Sequence, residues 1–351
     1  MRSRTASLLL ALLALTLGLP RARAQSWVTL TSGIDTNLRG ISAAKIAATG
    51  HIAIWASGSH DVILRSVDDG ATWTRLLIPG QPELDFRGIV AFDDKIAYLV
   101  SSGAGNKSKI HKTIDGGINW ELQYTDLNNA FFLDSIACSS PTNCFALGDP
   151  INGSFLLLQT TDGHRWNPLP PQDLPTALPK EGAFAASNSN LLVISESELF
   201  VVTGAFAARV LHTSDGGKTW TASAAPIAAD NATSGIFSIT RSSVGSLAAV
   251  GGDYANAGVG SRIAAFSEDQ SKTWQSPAQQ PGGYRSAVVS TDGQVLLAVG
   301  PSGSDISIDA GLHWETFTAP SLNALVTLDS QHVYAAGARG TVAQFQIVDA
   351  K

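Results

Sequence analysis

The sequence predicts an all-β protein: one seven-bladed propeller of four-stranded blades, with the last blade closed by the N-terminal strand. Three observations carry this reading. A turn of the form Ser/Thr-x-Asp-x-Gly-x-Thr/Asn-Trp, with local departures, recurs six times, its tryptophans 40 to 54 residues apart. Between copies lie three short apolar runs separated by turns, and a fourth run follows each tryptophan. The two chain ends carry complementary parts of one further unit. Periods of this length, with several strands per unit, signal a propeller or a related array.

The chain begins with a segment built for export. Arg2 and Arg4 precede an apolar run over residues 8–19, and Ala22-Arg23-Ala24 supplies a small-x-small cleavage pattern. The run is too short to cross a bilayer as a helix. Cleavage after Ala24 is expected, leaving 1–24 as signal peptide and 25–351 as a single domain in the periplasm or outside the cell. Removing the four arginines of the leader leaves 19 basic against 29 acidic residues, a net charge of −10. That balance disfavours nucleic acid and anionic membranes as bulk partners. No later stretch is long and apolar enough to insert in a membrane.

The mature chain opens with Gln25-Ser-Trp-Val-Thr-Leu, which resembles the strand after a repeat turn, with Trp27 in the tryptophan position but no turn before it. At the other end, residues 322–348 supply three strands and stop. Joining the two makes one blade with the N-terminal strand outermost, which hides the exposed edges of an open sheet. In between, the second unit shows the full pattern, with runs at 86–92, 96–101 and 109–113 and a strand at 120–124 after the turn. The turn aspartates are Asp68, Asp115, Asp162, Asp215, Asp269 and Asp309; the tryptophans are Trp73, Trp120, Trp166, Trp220, Trp274 and Trp314. In the copy Thr213-Ser-Asp-Gly-Gly-Lys-Thr-Trp220, the carboxylate of Asp215 can fold back onto nearby N–H groups and Gly217 can take a positive φ. Trp220 then packs beneath the hairpin. A structural role is expected for all six copies. Cys138 and Cys144 flank a Pro/Asn turn and are expected to form a local disulfide in an oxidising compartment.

The turns resemble the Asp-box (BNR) repeats of sialidases, sortilin-type receptors and xyloglucan-cleaving enzymes. With seven blades, an export signal and the segments Arg65-Ser-Val-Asp-Asp-Gly-Ala-Thr-Trp73 and His212-Thr-Ser-Asp-Gly-Gly-Lys-Thr-Trp220, the chain is most similar to photosystem II stability/assembly-factor-like propellers. That resemblance implies an exported, non-catalytic scaffold, a monomer that binds a protein or peptide, such as a membrane complex under assembly. The sialidase resemblance implies instead a glycoside hydrolase.

Any site belongs on the face opposite the repeat turns, where the innermost strands begin beside the channel. Aligning their starts gives one polar column: Arg39, Arg87, Asp134, Glu181, Ser234, Arg285 and Asn323. Asp149, Asp253 and Tyr254 follow the second strands on the same face and form a second tier. The column is expected to make a ring at one channel mouth. Two readings stay open: a site for a carboxylate or carbonyl-rich partner, or a self-neutralising set of ion pairs. In the sialidase-like alternative, the three arginines hold a carboxylate, Tyr284 attacks, and Glu181 or Asp134 serves as base or acid. However, the Arg-Ile-Pro signature is missing, and Tyr284 and Arg285, adjacent on a strand, should point to opposite faces. The seven histidines show no paired ligand spacing and no glycine-rich fingerprint lies between a strand and a helix, so neither a metal nor a cofactor is expected.

Overall fold

In the computed structural model, residues 23–349 are described, except 31 and 82. The expected leader falls outside the described residues up to position 22, and the expected cleavage point lies within the first strand. The chain forms seven antiparallel sheets arranged as consecutive blades, six of them four-stranded. Blades 1 to 6 span residues 38–76, 86–125, 133–168, 191–224, 234–267 and 287–317. Blade 7 combines strands from 322–349 with the N-terminal strand Arg23–Leu30. That strand is outermost and pairs with Val342–Asp349, placing Trp27 opposite Phe345. Trp27 also donates from Nε1 to Ser304 Oγ at 3.0 Å, which ties the closing strand to blade 6.

Blade 5 departs from the four-stranded rule. Its sheet has three strands, and its fourth is reduced to a bridge between Phe266 and Gln275. The residues after Trp274 explain this, because Pro277 has no N–H to extend the ladder.

The repeat turn does the work its residues suggest. Asp215 accepts from Thr213 Oγ1 at 2.8 Å, from the N–H of Thr219 at 3.0 Å and from Thr219 Oγ1 at 2.6 Å. Asp68 and Asp269 are held in the same way by Thr72 and Thr273, which bring both carboxyls down to about 2. The full-length turn also needs two successive residues with positive φ, supplied in the fourth copy by Gly216 and Gly217. In the fifth copy Gln270 (φ 60°) and Ser271 (φ 66°) accept that conformation instead.

The core lies in the seams between blades, and each seam holds one tryptophan of the repeat position, joined by Trp55 between blades 1 and 2. Trp73 packs with Leu64 of blade 1 and Tyr334 of blade 7, and Trp166 with Tyr98 of blade 2 and Leu158 of blade 3. Trp27 fills the same place between blades 6 and 7. Large aromatic rings suit this position because each buries area against two sheets at once. Cys138 and Cys144 lie opposite each other in the inner hairpin of blade 3 and are disulfide-bonded. Among the described residues no helix is long and apolar enough to cross a membrane.

Candidate functional site

Five blades share an irregularity at the start of the innermost strand. Register slips by one residue between Leu38 and Gly40, Phe86 and Gly88, Leu133 and Ser135, Ile236 and Ser238, and Leu322 and Ala324. Such a bulge leaves one residue outside the ladder and re-aims its side chain. The five residues are Arg39, Arg87, Asp134, Phe237 and Asn323. All but Asp134 line one cavity of about 420 Å³, together with Asn37, Phe184, Ala185, Ala186, Tyr254, Tyr284, Ser286 and Pro301.

Blade 4 has an innermost strand of only three residues, Leu191–Val193, and the chain before it leaves the sheet and crosses the channel. Ala185 O accepts from Arg87 of blade 2 at 3.0 Å, and Ser187 Oγ donates to Ser286 O of blade 6 at 2.6 Å. Asn188 Oδ1 accepts from the N–H of Ile136 in blade 3 at 2.8 Å. Ser189 Oγ meets Ser238 of blade 5 at 2.8 Å. A segment bonded to four other blades is a plug, and Ala185 and Ala186 face the cavity from it.

The cavity walls differ in character. On one side, Arg87 donates from Nε to Asp85 at 2.7 Å, so its charge is matched. Arg39 makes none of the described ion pairs. Burial, and next the nearby Arg87, push its guanidinium below the usual arginine range. A half-buried cation beside a second cation favours an incoming anion. On the other side stands an aromatic wall. Phe184 and Phe237 stack at 4.0 Å, Tyr254 meets both edge-on at 6.1 Å, and Tyr284 meets Phe237 at 4.8 Å. Gly204 makes room for the stack, since a Cβ there would fall 2.0 Å from Phe184.

The expected ring is therefore revised. Arg39, Arg87 and Asn323 line one cavity, with Tyr254 at the rim, but the other four members of the column do not. Arg285 is fully buried and pairs with Asp305, also donating to Ser302 Oγ and Tyr284 O at 2.9 Å. The register explains the displacement. Gly300 packs on Tyr284 O and Arg285 Cα as Gly58 packs on Asn37 O and Leu38 Cα. Arg285 thus takes the inward slot of Leu38, and Ser286 the channel slot of Arg39. Tyr284, on the opposite side from Arg285, faces the cavity. In blade 5, Gly251 contacts Gly235 O and Ile236 Cα, so Phe237 takes the slot assigned to Ser234, which is buried with its hydroxyl on Asn231 O at 3.2 Å. Glu181 precedes the plug and is held by Arg209, by Thr203 Oγ1 at 2.6 Å and by the N–H of Leu178 at 2.7 Å.

Asp134 occupies its bulge but is buried, and neither carboxyl oxygen has a hydrogen-bond partner. Burial and then Asp149 push it well above the carboxylate range, against the pull of Arg87. Asp149 accepts from the N–H of Ala183 at 3.1 Å, at the root of the plug. Asp253 braces its own loop: burial opposes ionisation, but hydrogen bonds from Thr233, Asn256 and Asn231 bring it down to about 2. The hydrolase set does not assemble. Glu181 is committed to Arg209, and burial pushes the Tyr284 phenol up, the wrong direction for a nucleophile.

Sequence reasoning missed Asn37, Phe184, Phe237, Ser286, Pro301 and the plug. A signal existed for Phe237. Ile236-Phe-Ser-Ile repeats the pattern of Leu133-Asp-Ser-Ile and Leu38-Arg-Gly-Ile once polarity is dropped as a criterion.

A family model for the photosynthesis system II assembly factor YCF48 matches residues 89–344. The chain belongs to the YCF48 assembly-factor family. The match runs from the innermost strand of blade 2 into blade 7, so Arg39 and Arg87 precede it. A photosystem II assembly lipoprotein Ycf48 from Synechococcus sp. (strain CC9902) is 36% identical over 80 residues, covering 22% of this chain and 22% of that protein. Among solved structures, a YCF48 bound to a D1 peptide superposes with a TM-score of 0.64 at 14% identity, covering 91% of this chain and 96% of that one. YCF48 from Cyanidioschyzon merolae gives 0.61 at 15% identity, covering 91% and 98%. The WD40 repeats of RRP9 give 0.62 at 12% identity, covering 92% and 97%. At these identities the structural matches speak for the fold alone.

Proposed function

We propose that this YCF48-family propeller is an exported, non-catalytic scaffold that binds a protein or peptide partner at the plugged channel mouth. The observation that carries the reading is Arg39, a half-buried guanidinium that makes no ion pair among the described residues, beside Arg87 and across from four aromatic rings. Arginine in such a setting recognises carboxylates and carbonyls with directional hydrogen bonds, and aromatic walls recur at the centres of binding surfaces. The family supports a role in assembling a larger complex, as does the relative solved with a D1 peptide. Export rests on the leader sequence and on the relative being a lipoprotein.

The test is affinity capture from the native host with wild-type and Arg39→Ala/Arg87→Ala proteins. Partners retained by wild type and lost by the double variant, at equal thermal stability, are the expected result. Identical capture by both would move the binding surface elsewhere. Periplasmic fractionation and the mass of the mature N-terminus test export and cleavage before Gln25.

A further inference from the structure

We propose that Asp134 and Asp149 form a proton-operated latch on the plug: with Asp134 protonated the plug stays seated across the channel, and with both carboxylates charged blade 3 releases it. The latch is separate from whatever the channel mouth binds. Three observations carry it.

The first is position. The plug, residues 182–190, meets blade 3 at two points. Asp149 accepts from the N–H of Ala183 at 3.1 Å, and the N–H of Ile136 donates to Asn188 Oδ1 at 2.8 Å. Along the innermost strand Asp134 falls between them, because Leu133 pairs with Gly148, next to Asp149, and Ile136 lies two residues beyond Asp134. The fit at the plug's root is close: a Cβ on Gly182 would come within 3.0 Å of Asp149 Oδ1.

The second is isolation. Asp134 is buried, and neither of its oxygens has a partner among the described residues. Ser135 Oγ and both polar side-chain atoms of Asn190, the plug's last residue, are buried and unpaired there as well. A charge in such a place has nothing to replace its water, so Asp134 sits beneath the plug as the neutral acid.

The third is the set of charges around it. The strands packed against Leu133–Ser140 are Phe86–Ala91, Ala97–Ser101, Asn143–Ile151 and Leu191–Val193. They bring two charged side chains, Arg87 and Asp149. The plug itself brings none, and Glu181 before it is held by Arg209. Burial and then Asp149 keep the proton on Asp134, against the pull of Arg87. Arg87 is meanwhile bound to Asp85 and, through Ala185 O at 3.0 Å, to the plug.

The direction follows. Ionising Asp134 puts two negative charges at the plug's root and draws Arg87 toward Asp134, away from Ala185 O. Once the plug lifts, water reaches Asp134 and its carboxyl returns to the ordinary 3.8. The seated plug therefore holds this proton more tightly than the lifted one. Seating is fully favoured below the ordinary value and weakens as pH rises through the higher value of the buried acid.

The test is hydrogen–deuterium exchange of the intact mature protein, read by mass spectrometry on peptides covering residues 182–190 and, as a control, 295–300 of blade 6. Rates from about pH 5 to about pH 8 are corrected for the intrinsic pH dependence of exchange, giving protection factors. Over the plug, wild type should lose at least about tenfold in protection across that range, the factor for one unit of displaced ionisation. The control strand should stay level. Asp134→Asn, neutral at every pH, should keep the plug protected throughout, and Asp149→Asn, which removes the like charge, should shrink the loss. In wild type at about pH 5, where an ordinary aspartate is ionised, infrared spectra should show the band of a protonated carboxylic acid. That band reads the latch even where a variant fails to fold. Level protection in wild type, the same loss in Asp134→Asn, or absence of the band would overturn the proposal. Protection restored at high pH by calcium in wild type, and not in Asp134→Asn, would replace the proton with a cation.

Discussion

Replacing Arg285 with alanine separates the two kinds of arginine in this propeller. Arg285 and Asp305 form a buried pair, their side chains 1% and 0% exposed. Truncation leaves Asp305 without its counter-ion in a site that water does not reach. It keeps two donors, the N–H of Gly282 at 3.0 Å and the hydroxyl of Thr316. Breaking a buried pair from one side costs about 3–5 kcal/mol. The surviving donors place this case near the lower bound, about 3 kcal/mol. Urea denaturation followed by tryptophan fluorescence should show that loss as a lowered midpoint with an unchanged slope. Arg285→Met/Asp305→Leu, which removes both charges, should recover most of it. Arg39→Ala should change the stability by less than about 0.5 kcal/mol, since no buried partner is stranded. An Arg285→Ala protein as stable as wild type, but defective in partner capture, would refute the assignment and return Arg285 to the channel ring.

Three further outcomes follow from the geometry. Ser271→Gly should stabilise the protein by about 1 kcal/mol, because Ser271 holds φ 66° where four other copies of the turn place glycine; a lower melting temperature would show that its side chain matters more than its backbone. His111 is buried with neither ring nitrogen bonded, and burial, then Lys109, bring it from 6.5 down to about 4. The unfolded imidazole therefore protonates first, so stability is full above pH 6.5 and falls by up to about 3 kcal/mol as pH drops to 4. His111→Phe should flatten that part of the stability profile, and an unchanged profile would assign the loss to other groups. Gly204→Ala should push Phe184 out of the aromatic stack and weaken peptide binding at least tenfold with a smaller effect on folding; unaltered affinity would remove the stack from the site.

The repeat architecture was legible because it depends on local chemistry. An aspartate closing its own turn, a residue with positive φ and a tryptophan after it declare a hairpin wherever they occur. Counting the copies, and joining Trp27 to the unfinished last unit, led to seven blades. Blade 5 lost its fourth strand to Pro277, a breaker visible in the sequence but outweighed there by the repeat. The channel column was harder. Arg39, Arg87 and Asn323 were found because blades 1, 2 and 7 keep the same spacing around the bulge. Arg285 was misplaced by one residue and Ser234 by three, since polarity was used to choose the register. In blade 6 both Arg285 and Ser286 are polar, and the arginine is the one turned into the core. Glu181 was misplaced because nothing in Gly182-Ala-Phe-Ala-Ala-Ser-Asn-Ser-Asn190 announces that it leaves its sheet.

By itself the sequence determined the blade, the blade count and the closing strand. Each follows from contacts within a hairpin or from a period along the chain. Only the tertiary structure decided that the channel is plugged, that two arginines and not three face it, and that four aromatic rings stand opposite. Those depend on how seven inner strands converge and on hydrogen bonds such as Ser187 to Ser286, 99 residues apart. A one-residue change of register turns a strand side chain from channel to core. The energy that selects the register, as between Arg285 and Ser286, comes from a partner such as Asp305 that no local pattern reveals.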